Sequence, residues 1–205
     1  IEQIDLYQIH WPDPDTPLED SVEELINLQK EGKFKYLGVS NFDKNLLTEI
    51  SNLTDVISLQ PQYSLLKRNI ENDVLPYIIE QGLGILNYGT LGGGILSGKS
   101  TERPEFEDEK DNRSGVYPFF SEENWPYVQE LIKLLKDIAA DYDKTPAQIS
   151  INWAINRPGI TTALVGAKNE KQASENAAAA DFNLSEEEMD LLTEKSDNII
   201  DNLKT

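Results

Sequence analysis

Short apolar segments alternate with amphipathic ones along this chain, and that alternation restricts its fold more than any other feature. The segment 6–9 reads as a strand that ends at the only histidine, His10, followed at once by Trp11 and Pro12. A helix is then expected, with Thr16 as its cap, Pro17 in the first helical position and Glu19 completing a capping box. Val22, Leu25, Ile26 and Leu28 keep helical spacing up to a stop at Gly32. Strands at 34–39, 56–59 and 83–88 alternate with helices at 44–53 and 72–81, the latter closed by Gly82. A long stretch over 89–120, rich in Gly, Pro and charge, has the character of a functional lid or a disordered loop. Leu131, Leu134, Leu135, Ile138 and Tyr142 form one helical stripe, and a second helix runs from Thr145-Pro146 through Trp153. A strand at 160–165 and a helix over 170–180 follow. Ser185 with Glu188 opens a last helix, with Leu191, Leu192 and Ile199 on its apolar side.

Such alternation specifies an α/β protein, with a parallel sheet covered by helices. An open dinucleotide-binding sheet should carry Gly-x-Gly-x-x-Gly after its first strand. Here His-Trp-Pro-Asp stands in that place. Polar residues instead end several strands: His10, Ser40-Asn41, Gln60, Tyr88 and Gly166-Ala-Lys168. One site assembled from many strand ends is the arrangement of a (β/α)8 TIM barrel. A barrel needs about eight strands and five are countable here. The expectation is a single domain over 1–205 that holds an incomplete barrel, with two open sheet edges prone to pairing.

The balance of 18 basic against 37 acidic residues, a net charge of −19, opposes binding to nucleic acid or anionic membranes. No apolar run reaches the length of about 18 residues that a membrane span requires. Zero Cys and one His leave no ligand set for zinc, so no metal site is expected. No secretory signal is visible, which points to a cytoplasmic protein. An anionic ligand would need its own local cluster of Lys, Arg and backbone N–H groups.

Five ordered motifs bear a resemblance to the aldo-keto reductases, in the subgroup similar to bacterial reductases and potassium-channel β-subunits. Asp5-Leu-Tyr-Gln-Ile-His-Trp-Pro-Asp13 resembles the family's fourth barrel strand. Gly32-Lys33 through Leu37-Gly-Val-Ser-Asn-Phe42 resembles its internal signature. Gln60-Pro-Gln-Tyr-Ser-Leu-Leu66 and Tyr88-Gly-Thr-Leu-Gly-Gly-Gly-Ile-Leu-Ser-Gly-Lys99 match the sixth and seventh strands with their loops. Gly166-Ala-Lys-Asn-Glu-Lys-Gln-Ala-Ser-Glu-Asn176 matches the cofactor-phosphate motif. The resemblance implies strands four to eight of the barrel with their helices and a C-terminal extra helix. It further implies hydride transfer between NADP(H) and a small carbonyl compound. Ser40, Asn41 and Gln60 would then bond the nicotinamide carboxamide, with Tyr88 stacked on its ring. Gly89, Thr90, Leu91, Gly92 and Gly93, on to Gly94, would approach the pyrophosphate. Lys99 and Arg113 would clamp phosphate. Gly166, Lys168, Gln172, Glu175 and Asn176 would hold the adenosine end, with Lys168 toward the 2′-phosphate. His10 would orient the carbonyl, with Trp11 shaping the pocket. The family's Tyr acid, and the Lys and Asp that tune it, have no counterpart here, as in a fragment of a longer reductase.

Each residue also has a plainer reading. Ser40-Asn41 caps a helix, Gln60 ends a strand before Pro61, Tyr88 is core, and Lys168 and Arg113 are solvated surface. Gly93-Gly-Ile-Leu-Ser-Gly-Lys-Ser100 fits the P-loop pattern, but Pro104 and dense acidic charge oppose the helix that such a loop needs. Two functions compete: a reductase, of which this is the C-terminal part, and a non-catalytic NADPH-binding protein or partner subunit. A barrel hydrolase built on paired carboxylates is weaker, because no acidic residue beyond Asp13 marks a strand tip. The substrate and the oligomeric state are not encoded legibly.

Overall fold

Four parallel strands carry their helices in the order expected, and a computed structural model describes them within residues 1–105 and 113–204. β1 (Ile4–Ile9), α1 (Leu18–Lys30), β2 (Phe34–Ser40), α2 (Lys44–Leu53), β3 (Ser58–Gln60), α3 (Val74–Gln81) and β4 (Gly84–Asn87) follow one another. α4 (Arg113–Val116), α5 (Trp125–Asp141), α6 (Pro146–Ile155), β5 (Thr162–Ala163), α7 (Glu170–Ala177) and α8 (Glu186–Ile200) complete the described elements. The sheet order is β1-β2-β3-β4-β5. The chain forms two compact units, the first of residues 1–62, 69–88 and 158–162, the second of residues 63–68, 89–157 and 163–205.

In the first unit β2 is the spine. Gly38 pairs with both Gln8 and Ser58, and Ser40 pairs with Gln60. Leu37, Val39, Leu59 and Ile85 are buried, as are Leu47 and Ile50 of α2 and Ile78 of α3. Each such side chain contributes about 1.5–3 kcal/mol through burial. α1 ends in a Schellman turn: Gly32, at φ 77°, donates to the Gln29 carbonyl, and Lys33 donates to that of Leu28.

The start of α1 differs from the sequence expectation. Its cap is Pro17, and no side chain caps it. The Thr16 hydroxyl donates to Asp13 Oδ2 (2.8 Å) instead, and the Asp15 N–H donates to Asp13 Oδ1 (3.0 Å). A local turn has taken the capping hydroxyl. The Asp15 and Thr16 bonds hold the Asp13 carboxyl below its ordinary pKa.

β1 is one of the open edges expected of an incomplete barrel: it has a neighbour on one side alone, and Ile4 and Tyr7 stay 46% and 42% exposed. The strand at 160–165 is reduced to two residues, and the helix at 72–81 starts at Val74 after a 3₁₀ turn over Asn69–Glu71.

In the second unit α6 is buried on every side from Gln148 to Ala154, polar Gln148, Ser150 and Asn152 included. Trp153 stacks on Tyr63 (centroids 5.5 Å), while Arg68 and Arg157 lie 5.8 and 5.4 Å from its ring. Arg68 also bonds the Thr193 carbonyl and pairs with Asp197 (2.7 Å), fastening α8. Asn152, wholly buried, donates to the carbonyls of Ala179 and Phe182 and accepts from the Leu184 N–H. Among its described residues, the long stretch over 89–120 holds a 3₁₀ turn over Gly92–Ser97, α4, and a further turn over Pro118–Phe120. Its residues 106–112 lie outside the described residues.

Candidate active site

The strand ends of the first unit carry one connected set of polar groups. Ser40, the last residue of β2, is buried, and its hydroxyl donates to the Gln60 carbonyl (2.8 Å). Asn41 follows with a left-handed backbone, φ 61°. Its Nδ2 donates to the His10 carbonyl (3.1 Å) and to Ser40 Oγ (3.0 Å), and its Oδ1 accepts from the Tyr88 hydroxyl (2.8 Å). The Tyr88 N–H donates to the Pro61 carbonyl, which fixes the backbone just beyond β4. Residues distant in the chain, His10, Ser40-Asn41, Gln60 and Tyr88, are thereby drawn to one end of the sheet. Capping does not account for Ser40-Asn41, because Asp43 caps α2 by accepting from the Leu46 N–H (2.9 Å). His10 and Trp11 are exposed at the end of β1, with ring centroids 6.2 Å apart.

Gln8 is a member of this set that the sequence reading did not single out. Its Oε1 accepts from Gln60 Nε2 (3.2 Å). One signal was present: Gln8 shares a face with Ile4 and Leu6, and a polar group there needs a partner.

In the second unit the glycine run 89–94 is a tight turn. Gly89, Gly92, Gly93 and Gly94 all have positive φ. Gly94, at φ 97°, and Gly166 have open space where a Cβ would stand. Both glycines line two cavities. One, of about 340 Å³, is walled by Leu91, Lys99, Pro146, Gln172, Glu175 and Asn176. The other, of about 250 Å³, lies against Gly89, Thr90, Gly93, Tyr117 and Val165. The Thr90 hydroxyl donates to the Leu164 carbonyl (3.3 Å), and Arg113 Nη1 donates to the Gly93 carbonyl (3.2 Å). The Tyr117 ring covers Gly93 so closely that a Cβ there would lie 2.8 Å from it. The places of Tyr117 and of Pro146 in the cavity walls were not anticipated, because nothing local in the sequence marks a loop aromatic or a helix start as cavity wall.

The loop before α7 is held by the helix's own first turns. The Lys168 N–H donates to Gln172 Oε1 (2.7 Å), Asn169 caps the helix, and Asn176 Nδ2 donates to the Gly166 carbonyl (3.2 Å). Lys168 is exposed, and Glu175 is offset by Lys171 at 3.7 Å. No helix begins at Lys99, since the turn over Gly92–Ser97 ends before it and residues 99–105 are not helical. The P-loop geometry is therefore absent.

A strand-end site on a parallel α/β sheet defines a class, and comparison with known proteins gives its family. A family model described as the aldo/keto reductase family matches residues 1–197. The chain belongs to the aldo/keto reductase family, whose members are oxidoreductases. It is 35% identical to "Aldo-keto reductase YhdN" of Bacillus subtilis over 174 residues, covering 83% of this chain and 51% of that protein. It is 28% identical to "NADH-specific methylglyoxal reductase" of Escherichia coli over 200 residues, covering 96% of this chain and 60% of that one. The structure of glycerol dehydrogenase AKR11B4 from Gluconobacter oxydans matches with a TM-score of 0.87 at 31% identity, covering 99% of this chain and 60% of that chain. The fold class is thus the α/β barrel of this family in incomplete form, and the chain spans between half and two thirds of these relatives' length. Among the described residues no helix is long and apolar enough to cross a membrane, and no cluster of His, Cys, Asp and Glu forms a metal site.

Proposed function

We propose that this chain is the nicotinamide-cofactor-binding part of an NADP(H)-dependent reductase of aldehydes or ketones. The observation that carries the reading is the pair Gly94 and Gly166, which leave bare backbone facing two cavities. The residues present fit the group. Gln60 Oε1 keeps its acceptor capacity while Nε2 is engaged by Gln8, and Lys99 supplies positive charge to the larger cavity in a protein of net charge −19.

When bound, the cofactor would supply hydride to a carbonyl carbon. Ser40, Asn41 and Gln60 would hold the carboxamide, and Tyr88, fixed through its hydroxyl to Asn41, would present its ring to the nicotinamide. Gly89, Thr90, Leu91, Gly92 and Gly93 would approach the pyrophosphate with their backbone, the Gly92 N–H being already given to the Gly89 carbonyl (2.8 Å). Lys99 and Arg113 would face its phosphates. Gly166, Gln172, Glu175 and Asn176 would hold the adenosine end, with Lys168 toward a 2′-phosphate. His10 would orient the substrate oxygen and Trp11 would wall the pocket.

The oxygen that gains charge needs a proton donor, and the resemblance assigns the family's Tyr acid to no position of this chain. The chain alone is therefore expected to bind cofactor without turnover, which keeps a non-catalytic NADPH-binding role as the second reading. The test is an NADPH titration followed by Trp and Tyr fluorescence, with Lys168→Ala beside it. Saturable quenching, weakened about fivefold to tenfold by the substitution, is expected for the loss of one charged phosphate contact. No saturable quenching by a chain with helix and strand in its far-UV dichroism would overturn the reading.

A further inference from the structure

Asn124 stands at the cap position of α5, where an asparagine ordinarily turns its side chain onto its own helix. It makes no such bond here. The residue is wholly buried, and its amide is directed to two backbone segments instead. Nδ2 donates to the Pro118 carbonyl (2.9 Å) and to the Lys204 carbonyl (2.8 Å), and Oδ1 accepts from the Lys204 N–H (2.9 Å). One amide thus holds both backbone groups of a residue that follows α8, 80 positions away. Turning the amide over would set its oxygen against two carbonyls and its NH2 against an N–H, and all three bonds would be lost. Lys204 is held by its backbone. Its side chain adds a 3.7 Å pair with Glu123 that is exposed on both sides and worth little.

The same amide bears on the glycine turn. Pro118 lies between Tyr117 and Phe119. A Cβ on Gly93 would lie 2.8 Å from the Tyr117 ring and 3.3 Å from that of Phe120, and one on Gly92 would lie 3.5 Å from that of Phe119. Phe119 and Phe120 are buried, and Tyr117 walls the cavity of about 250 Å³ with Gly89, Thr90 and Gly93. Glycines at positive φ have wide backbone freedom, so the turn needs support, and these rings pack against it. The rings sit on a segment that Asn124 ties to the chain beyond α8. A wall fastened before a ligand arrives costs that ligand nothing to order. A loose wall lowers apparent affinity in proportion to the time it is out of place.

We propose that Asn124 is a positioning residue that straps segment 117–120 to the residues after α8, so that the seating of Lys204 sets how tightly the glycine turn holds a pyrophosphate. This inference rests on the cofactor reading above, which puts the pyrophosphate at that turn.

The experiment compares two ligands on the full chain by calorimetry: 2′-phospho-ADP-ribose, which carries the pyrophosphate, and adenosine 2′-phosphate, which lacks it. Asn124→Asp keeps the size and the acceptor and loses both donors. Lys204→Pro removes the bonded N–H at a site far from the core, and Lys204→Ala removes the charge but keeps the backbone. Asn124→Asp and Lys204→Pro are expected to weaken 2′-phospho-ADP-ribose about fivefold, the worth of about one hydrogen bond. Adenosine 2′-phosphate stays within about twofold for both, and Lys204→Ala matches the parent chain with either ligand. In the ligand-free chain the same two variants speed amide exchange at Tyr117, Phe120 and Ser121 and leave α6 at parent rates. A merely structural role would weaken both ligands and raise exchange in α6 as well, and that result would overturn the assignment. So would Lys204→Pro with unchanged affinity for 2′-phospho-ADP-ribose, or Lys204→Ala with a loss equal to that of Lys204→Pro. A parent chain that binds the two ligands equally would overturn the pyrophosphate site at the turn. One that binds neither would overturn the cofactor reading and this inference with it.

Discussion

Asn41 joins three strand ends through one side chain, and it does so from a backbone conformation that few residues tolerate. Its φ of 61° brings the amide between the His10 carbonyl, Ser40 and Tyr88. Asn adopts the left-handed region more readily than most residues, whereas alanine there costs about 1–2 kcal/mol. Asn41→Ala is therefore expected to be less stable than Asn41→Gly by about 1 kcal/mol, read from urea midpoints at equal slope. Equal midpoints would remove the strain from the account. The Ser-Asn pair was legible as a site because it ends an apolar strand. Its partners were not, since the His10 carbonyl lies 31 residues away and local pattern carries no record of such pairing. Gln8 was missed for the related reason that a lone polar residue in a strand acquires meaning only beside Gly38 and Gln60.

At the level of the element, helix signals were legible where the capping side chain had no competitor. Thr145 and Ser185 both form complete capping boxes, with Gln148 and Glu188. Thr16 had a competitor in Asp13 and did not cap. Glu188 has a further task, because its carboxylate also accepts from the Tyr142 hydroxyl (2.5 Å), which ties α8 to the end of α5. Burial of Glu188 opposes ionisation, but the bonds from Tyr142 and Ser185 outweigh it and lower its pKa. The bond to Glu188, with burial added, raises that of Tyr142. The signs follow. Glu188 contributes stability that is present above its unfolded pKa and is lost as pH falls through the lower folded value. Tyr142 contributes stability that is present below its unfolded pKa and is lost as pH rises through the higher folded value. Tyr142→Phe is expected to cost about 1 kcal/mol. Its Tm deficit should be flat between about pH 6 and 9 and shrink below the ordinary Glu range. A deficit that does not change on acidification would mean that the carboxylate is not the partner that matters. Ser185→Ala should cost about 1 kcal/mol through loss of the cap, and thermal unfolding would show it.

The whole molecule was legible in class and in strand order, because alternation and strand-end polarity are properties of the chain taken as a sequence of elements. At the edge strand β1, Tyr7 is 42% exposed, with Trp11 just beyond the strand at 59% and Tyr36 of the neighbouring β2 at 53%. An edge strand with apolar neighbours is a template for pairing. The isolated chain is expected to associate as its concentration rises, and Tyr7→Lys should reduce this, with light scattering as the readout. Concentration-independent scattering by the parent chain would contradict it. The central claim, that this chain holds a nicotinamide dinucleotide on its strand ends and glycine turns, is tested most directly by backbone amide NMR during an NADPH titration. The account predicts saturable shifts at Ser40, Asn41, Gln60 and Tyr88 in the first unit, and at Gly89 to Gly94 and Gly166 to Asn176 in the second. Saturable shifts that leave those amides unmoved would contradict it.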